Sequence, residues 1–398
     1  MFDPKPTPRT WPRRLLIGAI LAASACNVAG LTPAESDPIA PVSPPPPPPP
    51  PPAPGYTYQF GAKFEPPVGR VVHGIGQWDA FNVKYFAMLP ASAQPASELV
   101  FIPIGDTIRP WNPAKIAASL AAMRAAGRMP LADIALRGNQ PTQAELAQLP
   151  DPLFGIDHEV ANGTKWDSRL VDLAQLFAAH KTPVLLRIGG EFSGWWNGYH
   201  PYEYPKAFRK IVNLFRAAGA GNVAFVWCYE PAAPGDFAAV NAKGEPKWYP
   251  GADVVDWFSI DLFAQGDVSG PLTAHNGVPT SFGKTTAFLD FAVASGKPVV
   301  IAESAPAHYD LGVPSGASAA WSQWFTPYFD LIASQSEIKW FVYVNYDWSL
   351  ASYYALMGWQ NNDLSLSAVA GLYASEITKS KYLHAGELAQ LKDFGLYK

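Results

Sequence analysis

Two short stretches of this chain carry acids in surroundings where an acid is costly. Arg187 to Tyr199 reads RIGGEFSGWWNGY, which sets Glu191 after a glycine pair and shortly before two adjacent tryptophans, Trp195 and Trp196. Val299 to Pro306 reads VVIAESAP, with Glu303 at the end of an apolar run. Two carboxyls facing each other across a cleft are what hydrolysis of a glycosidic bond requires, since one protonates the leaving oxygen while the other attacks the sugar or activates water. Apolar neighbours raise a carboxyl's pKa towards that of a working general acid. The tryptophans meet a second requirement, because sugar rings present flat C–H faces that stack on indoles while their hydroxyls take polar partners. Trp248, Trp348 and Trp359 join Trp195 and Trp196 in stretches expected to be loops at strand ends.

For the two acids to meet, the elements carrying them must converge. Eight β-rich apolar runs recur from residue 71 onwards: 71–76, 99–105, 129–137, 183–189, 222–230, 254–263, 297–304 and 338–348. Most are separated by segments of helical period such as DSRLVDLAQLFAAH and YPKAFRKIVNLFRAAG, several of which end in glycine. Continuous rather than alternating apolar runs imply strands buried on both faces, hence a parallel sheet under helices. Eight such units predict a (β/α)8 TIM barrel forming a single catalytic domain over residues 56–398. A doubly wound open sheet is the rival, and no GxGxxG or GxxxxGK[ST] follows any run to favour it.

In such a barrel the active site lies at the C-terminal ends of the strands. The candidates there are His73 and Gln77 after the first run, Arg137 after the third, Arg187 and Glu191 after the fourth, and Tyr229 and Glu230 after the fifth. The sixth offers Asp261, the seventh Glu303, and the eighth Tyr346, Asp347 and Trp348. Glu191 and Glu303 are the expected pair, on strands on roughly opposite sides of the ring. Substrate contacts are expected from Arg187, His73, Trp195, Trp196, Tyr229, Asp261, Tyr346 and Trp348. Plainer roles exist for several: Glu191 could pair with Arg187, Glu303 could cap the following helix, Asp261 and Asp347 could orient neighbours, and His73 could fill the barrel mouth. The segment from Gly138 to Thr164 reads as a long loop walling the cleft.

The run from Lys165 to Pro231, followed in order by YPGADVVDWFSID, KPVVIAESAP, a Trp-rich end to the eighth run and KYLH, resembles glycoside hydrolase family 26, the β-mannanase family within the clan of (β/α)8 retaining glycosidases. The resemblance spans most of residues 70–385. It implies Glu191 as the acid/base, Glu303 as the nucleophile, Arg187 as a support on the acid side and Trp348 as a sugar platform. It also implies an endo-acting enzyme on a β-linked polysaccharide, with mannan as the leading substrate. Two positions differ from the family pattern: Gly190 stands where a histidine usually precedes the acid/base, and Phe263 stands where a tyrosine usually bonds the nucleophile. Those losses motivate a different class of function, a carbohydrate-binding barrel without catalysis. A transglycosylase, or an enzyme processing an exopolysaccharide, would use the same two acids.

The first residues point to export. MFDPKPTPRTWPRR is basic, LLIGAILAASA is a short apolar run, and Cys26 follows small residues, so 1–26 reads as a signal peptide, of lipoprotein type if Cys26 is the acylated residue. Residues 27–55 form a proline-rich linker, and the nine prolines from Pro44 to Pro52 favour an extended spacer of roughly 28 Å. The expected location is the cell envelope or the exterior, with the membrane touched only through a lipid anchor. A net charge of -4 leaves no basic footprint for nucleic acid. Cys228, in VAFVWCY, reads as a small buried hydrophobe, and two cysteines make no disulfide framework. No cofactor is implied. The Asp157-His158-Glu159 triplet lacks HExxH spacing and thiolates, so it reads as a solvated loop and no metal is expected. The expected form is a monomer.

Overall fold

The computed structural model describes residues 55–77, 79–105, 111–137, 153–194, 196–231 and 237–397. The signal segment with Cys26, the prolines Pro44 to Pro52, and Trp195 lie outside these residues.

Eight parallel strands close into a barrel: β1 (Val71–Gly76), β2 (Ser97–Pro103), β3 (Met129–Ala135), β4 (Val184–Glu191), β5 (Val223–Tyr229), β6 (Trp257–Leu262), β7 (Val299–Ser304) and β8 (Ile338–Val344). Each pairs with the next, and closure comes from β1 pairing with both β8 and β2. A short ninth strand, β9 (Tyr382–Leu383), adds to β1 at Val71 and Val72. The (β/α)8 barrel expected from the apolar runs is the fold observed. The β-branched and aromatic content of the runs suits strands covered on both sides. Val72, Leu99, Leu131, Leu185, Val226, Trp257, Val300 and Trp340 fill the interior, while Ile134, Ile188, Phe225, Trp227, Ile260, Ile301 and Phe341 face the helices.

The helices bury one stripe each. In the helix Tyr204–Ala217 the buried positions Tyr204, Ala207, Phe208, Ile211, Val212 and Phe215 follow helical spacing, and Pro205 suits its first turn. Asn112 caps the helix Pro113–Ala125 by accepting the Lys115 N–H at 3.0 Å, and Thr280 caps Ser281–Ala294 through the Gly283 N–H at 3.0 Å.

The base of the barrel is plugged by both ends of the domain. Phe64, Leu388 and Leu391 join the interior cluster, and Trp257 donates its indole N–H to the Lys63 carbonyl at 2.7 Å. Buried Glu65 fixes this plug by accepting the backbone N–H groups of Gln59 (2.8 Å), Phe60 (3.1 Å) and Ala62 (3.1 Å).

Part of the long segment after β3 is ordered as the helix Asp157–Asn162 rather than as a loop. Asp157 is buried within it, so the solvated-loop reading of the Asp157-Glu159 triplet is corrected: the residue sits under the neighbouring loop and bonds it.

Candidate active site

The barrel interior changes character towards the C-terminal ends of the strands. Two residues beyond apolar Leu131, Leu185 and Val226, the same inward faces of β3, β4 and β5 carry Asp133, Arg187 and Cys228, and β6 contributes Asp261. Arg187 is 1 % exposed and forms the hub. Its Nε donates to Asp133, its Nη1 to Asp261 at 2.6 Å, and its Nη2 to Glu303. Cys228, a buried free thiol, lies 3.5 Å from Nη1. One guanidinium thus faces three carboxylates. Burial raises the pKa of Asp133 and of Asp261 against its pull, and the carboxylates hold Arg187 firmly charged even though burial opposes that charge.

Irregularities in β4 and β7 bring the two glutamates into this interior. Along β4 and β5, Arg187 pairs with Val226 but Glu191 with Cys228, so β4 holds two extra residues. The chain absorbs them at Gly189 and Gly190, with φ of +84° and +56°, values that glycine adopts freely. Tyr204 buttresses the bulge by donating its hydroxyl to the Ile188 carbonyl at 2.7 Å. Along β6 and β7, Ile260 pairs with Ile301 and Asp261 with Glu303, which leaves Ala302 as an inserted residue. Ala302 and Glu303 therefore both face inward, while Ser304 turns outward to Tyr328.

The two carboxyls sit in different environments. Glu303 is 8 % exposed and fully engaged: Oε1 accepts from Arg187, Oε2 accepts from the Gln77 amide at 2.9 Å, and its backbone N–H donates to Asp261 Oδ1 at 2.9 Å. Donors on both oxygens fix the orientation of this carboxyl. Glu191 accepts from the Trp196 indole N–H at 2.6 Å. Burial, and then the charge of Glu303, push its pKa up to about 7. The raised pKa suits Glu191 to proton transfer, while its partner is held in place by two donors. The loop after β4 is braced by Asn197, which donates to the Glu191 carbonyl at 2.8 Å and accepts from Arg137 Nε at 2.9 Å.

The pattern of a glycosyl hydrolase family 26 model matches residues 156–307, an interval that holds both Glu191 and Glu303. Over that interval the chain is similar to glycosyl hydrolase family 26. A beta-1,3-xylanase of an Alcaligenes species is 29% identical over 208 residues, 48% of this chain and 40% of its own length. A beta-1,3-xylanase of a Vibrio species is 29% identical over 242 residues, 56% of this chain and 47% of its own length. The chain therefore spans less than half the length of either relative. A Cellulomonas fimi endo-beta-1,4-mannanase double mutant shares the fold at a TM-score of 0.53 and 18% identity, over 82% of this chain and 74% of that one.

Within this barrel the other expected site residues separate into three groups. Arg187 and Asp261 are at the site, both buried and both bonded to Glu303, so Arg187 braces the Glu303 side of the site rather than the Glu191 side. His73 and Tyr229 are corrections. His73 points outward into the helix layer, where its Nε2 lies 2.6 Å from the Tyr85 hydroxyl, its Nδ1 3.3 Å from His384, and its ring against Phe341; burial lowers its pKa well below the usual histidine range. Tyr229 is fully buried, its ring packed between Phe192 and Phe288. Trp248 is likewise core, against Phe192 and Tyr204. The third group lines the mouth. Trp196 is the donor to Glu191 as well as wall, and folds back across Gly194, where any Cβ would strike the indole. Tyr346 and Trp348 stand in an aromatic rim with Phe263, Tyr354 and Trp359, ring centroids 4.7 to 6.2 Å from Trp348. Trp348 is 2 % exposed, so its partly covered neighbours Tyr346 and Trp359 present the open faces. Asp347 caps the turn at Trp348–Leu350 through the Ser349 N–H at 3.1 Å.

Asp133 and Asn197 were not expected. Asp133 had one signal, a lone acid within the apolar run MPLADIAL, whereas Asn197 had none. The departures from the family pattern also gain a physical account. With φ of +56° and a position 3.3 Å from Asp133 Oδ2 for any added Cβ, residue 190 has no comfortable place for histidine. Phe263 has no hydroxyl to offer Glu303, and the Gln77 amide supplies a donor there.

Proposed function

We propose that the chain is a retaining, endo-acting glycoside hydrolase that cleaves β-1,3-xylan. The observation that carries the chemistry is the asymmetry of the glutamates: Glu191 pushed up to about 7 by burial and by Glu303, and Glu303 held by Arg187 and Gln77. In the first step Glu303 attacks the anomeric carbon while Glu191 protonates the leaving glycosidic oxygen. In the second, water deprotonated by Glu191 attacks the glycosyl-enzyme and releases Glu303. The interior charge layer aims Glu303 through Arg187 and Asp261.

The xylan assignment draws on the two relatives, both named beta-1,3-xylanase and aligned over about half of this chain. β-Mannan, implied by the family resemblance, is the second substrate class, and Gly190 in place of the usual histidine beside the acid/base places it second. Incubation with β-1,3-xylan, β-1,4-xylan, galactomannan and mixed-linkage glucan, with products sized over time, tests the reading. Short oligosaccharides from β-1,3-xylan are expected first. Binding without shortened products would instead support the non-catalytic barrel, and longer products would support transglycosylation. Glu303→Ala is expected to abolish turnover, with azide restoring part of it as a glycosyl azide. Export with acylation at Cys26 completes the proposal, tested by loss of the protein from the membrane fraction in Cys26→Ser.

A further inference from the structure

A second cluster of ligand-type side chains lies outside the carboxylate site, where the loop after β4 meets the start of the helix Asp157–Asn162. Asp157 is buried, His158 beside it is exposed, and His200 covers both from the end of the loop that carries Trp196 and Asn197. One ligand atom from each lies within 4.8 Å of the other two. The two imidazole rings are 4.2 Å apart between centroids.

Each of the three is also held by a second contact. His158 Nδ1 lies 3.0 Å from the Gly155 carbonyl, and a carbonyl that takes the Nδ1–H leaves Nε2 with its lone pair outward, as in histidine ligands of metal centres. Asp157 Oδ2 accepts the His200 backbone N–H at 2.7 Å, and Oδ1 lies 2.9 Å from His200 Nδ1. The carboxylate is thus aimed at the ring that shares the cluster.

We propose that Asp157, His158 and His200 form a binding site for a divalent late first-row transition metal, with Zn2+ as the probe. Two imidazoles and one carboxylate are a borderline N/O set that suits such an ion better than Mg2+ or Ca2+, which prefer all-oxygen shells. Bonds of about 2.0–2.2 Å place tetrahedral ligand atoms about 3.4 Å apart, a closure that rotation of exposed His158 supplies. The ion adds a link between two segments already joined by the Gly155 N–H donating to the Gly198 carbonyl at 2.8 Å. It therefore tethers the loop whose Trp196 and Asn197 hold Glu191. The site stands independently of which sugar the barrel accepts.

The full chain, free of any histidine tag and stripped with chelator, is titrated with ZnCl2 by calorimetry, and its Tm is followed with and without the metal. One Zn2+ per chain and a higher Tm are expected, with binding at least about tenfold weaker in both His158→Ala and His200→Ala. Exposed His158 tolerates truncation, and circular dichroism verifies that His158→Ala is folded. Wild-type protein that takes up no Zn2+, or His158→Ala that binds it as wild type does, overturns the proposal.

Discussion

The proton-transfer chemistry rests on a few hydrogen bonds whose removal has a defined sign. As the proposed general acid, Glu191 acts protonated in the free enzyme, so kcat/KM should fall as pH rises through about 7. The Trp196 N–H bonds the ionised form of Glu191 and lowers its pKa, so Trp196→Phe should move that basic limb to higher pH, beyond any drop in rate. A pH–rate profile of both proteins checks this, and an unmoved limb would show that the indole acts only as a wall. On the other side, Gln77→Ala removes a donor from the Glu303 carboxylate. Hydrogen bonds to charged groups contribute about 1.5–3 kcal/mol, so kcat should fall about tenfold to 150-fold with the melting temperature nearly unchanged. Both residues occupy stretches visibly marked in the sequence, by a tryptophan pair and by a strand end. That they donate to opposite acids is a matter of geometry alone.

At the scale of elements, the site depends on two interruptions of strand pairing. The bulge at Gly189 and Gly190 sets Glu191 level with Cys228 on the inward face, and the inserted Ala302 lets Glu303 turn inward on β7. Gly190→Ala should cost roughly 1–2 kcal/mol for a side chain at positive φ, read by urea denaturation, and should lower activity by shifting Glu191. A variant as stable and active as wild type would mean that the bulge relaxes without effect. The strands were legible because continuous Val, Ile, Leu and Phe runs have few other uses. Which side of each strand faces inward was not, for the same reason: runs buried on both faces carry no alternation to set the phase. His73 and Tyr229 were misplaced on that account, each sitting on the helix-facing side of its strand. The bulges themselves arise from register between neighbouring strands and leave only a glycine pair as a trace.

For the molecule as a whole, stability and chemistry occupy opposite ends of the barrel. The base is sealed by Phe64, Leu388 and Leu391 beneath the apolar layer, and the buried charge around Arg187 sits above it. Phe64→Ala should therefore lower the unfolding free energy by about 3–5 kcal/mol, as a large core truncation does, while leaving kcat/KM and its pH profile in place. Equilibrium denaturation beside steady-state kinetics separates the two, and a matching loss of activity in the folded variant would contradict the division.

The amino-acid sequence by itself determined the barrel and marked two glutamates at its strand ends, because apolar periodicity and isolated acids are local signals. Only the tertiary structure decided what surrounds those acids. Asp133, Arg187 and Asp261 come from three strands far apart in the chain and meet only when the barrel closes, and burial, then the neighbouring Glu303, raises the pKa of Glu191. His200 joins Asp157 and His158 for the same reason. A carboxyl's role depends on its neighbours in space, and proximity in space is the one property that spacing along a chain does not record.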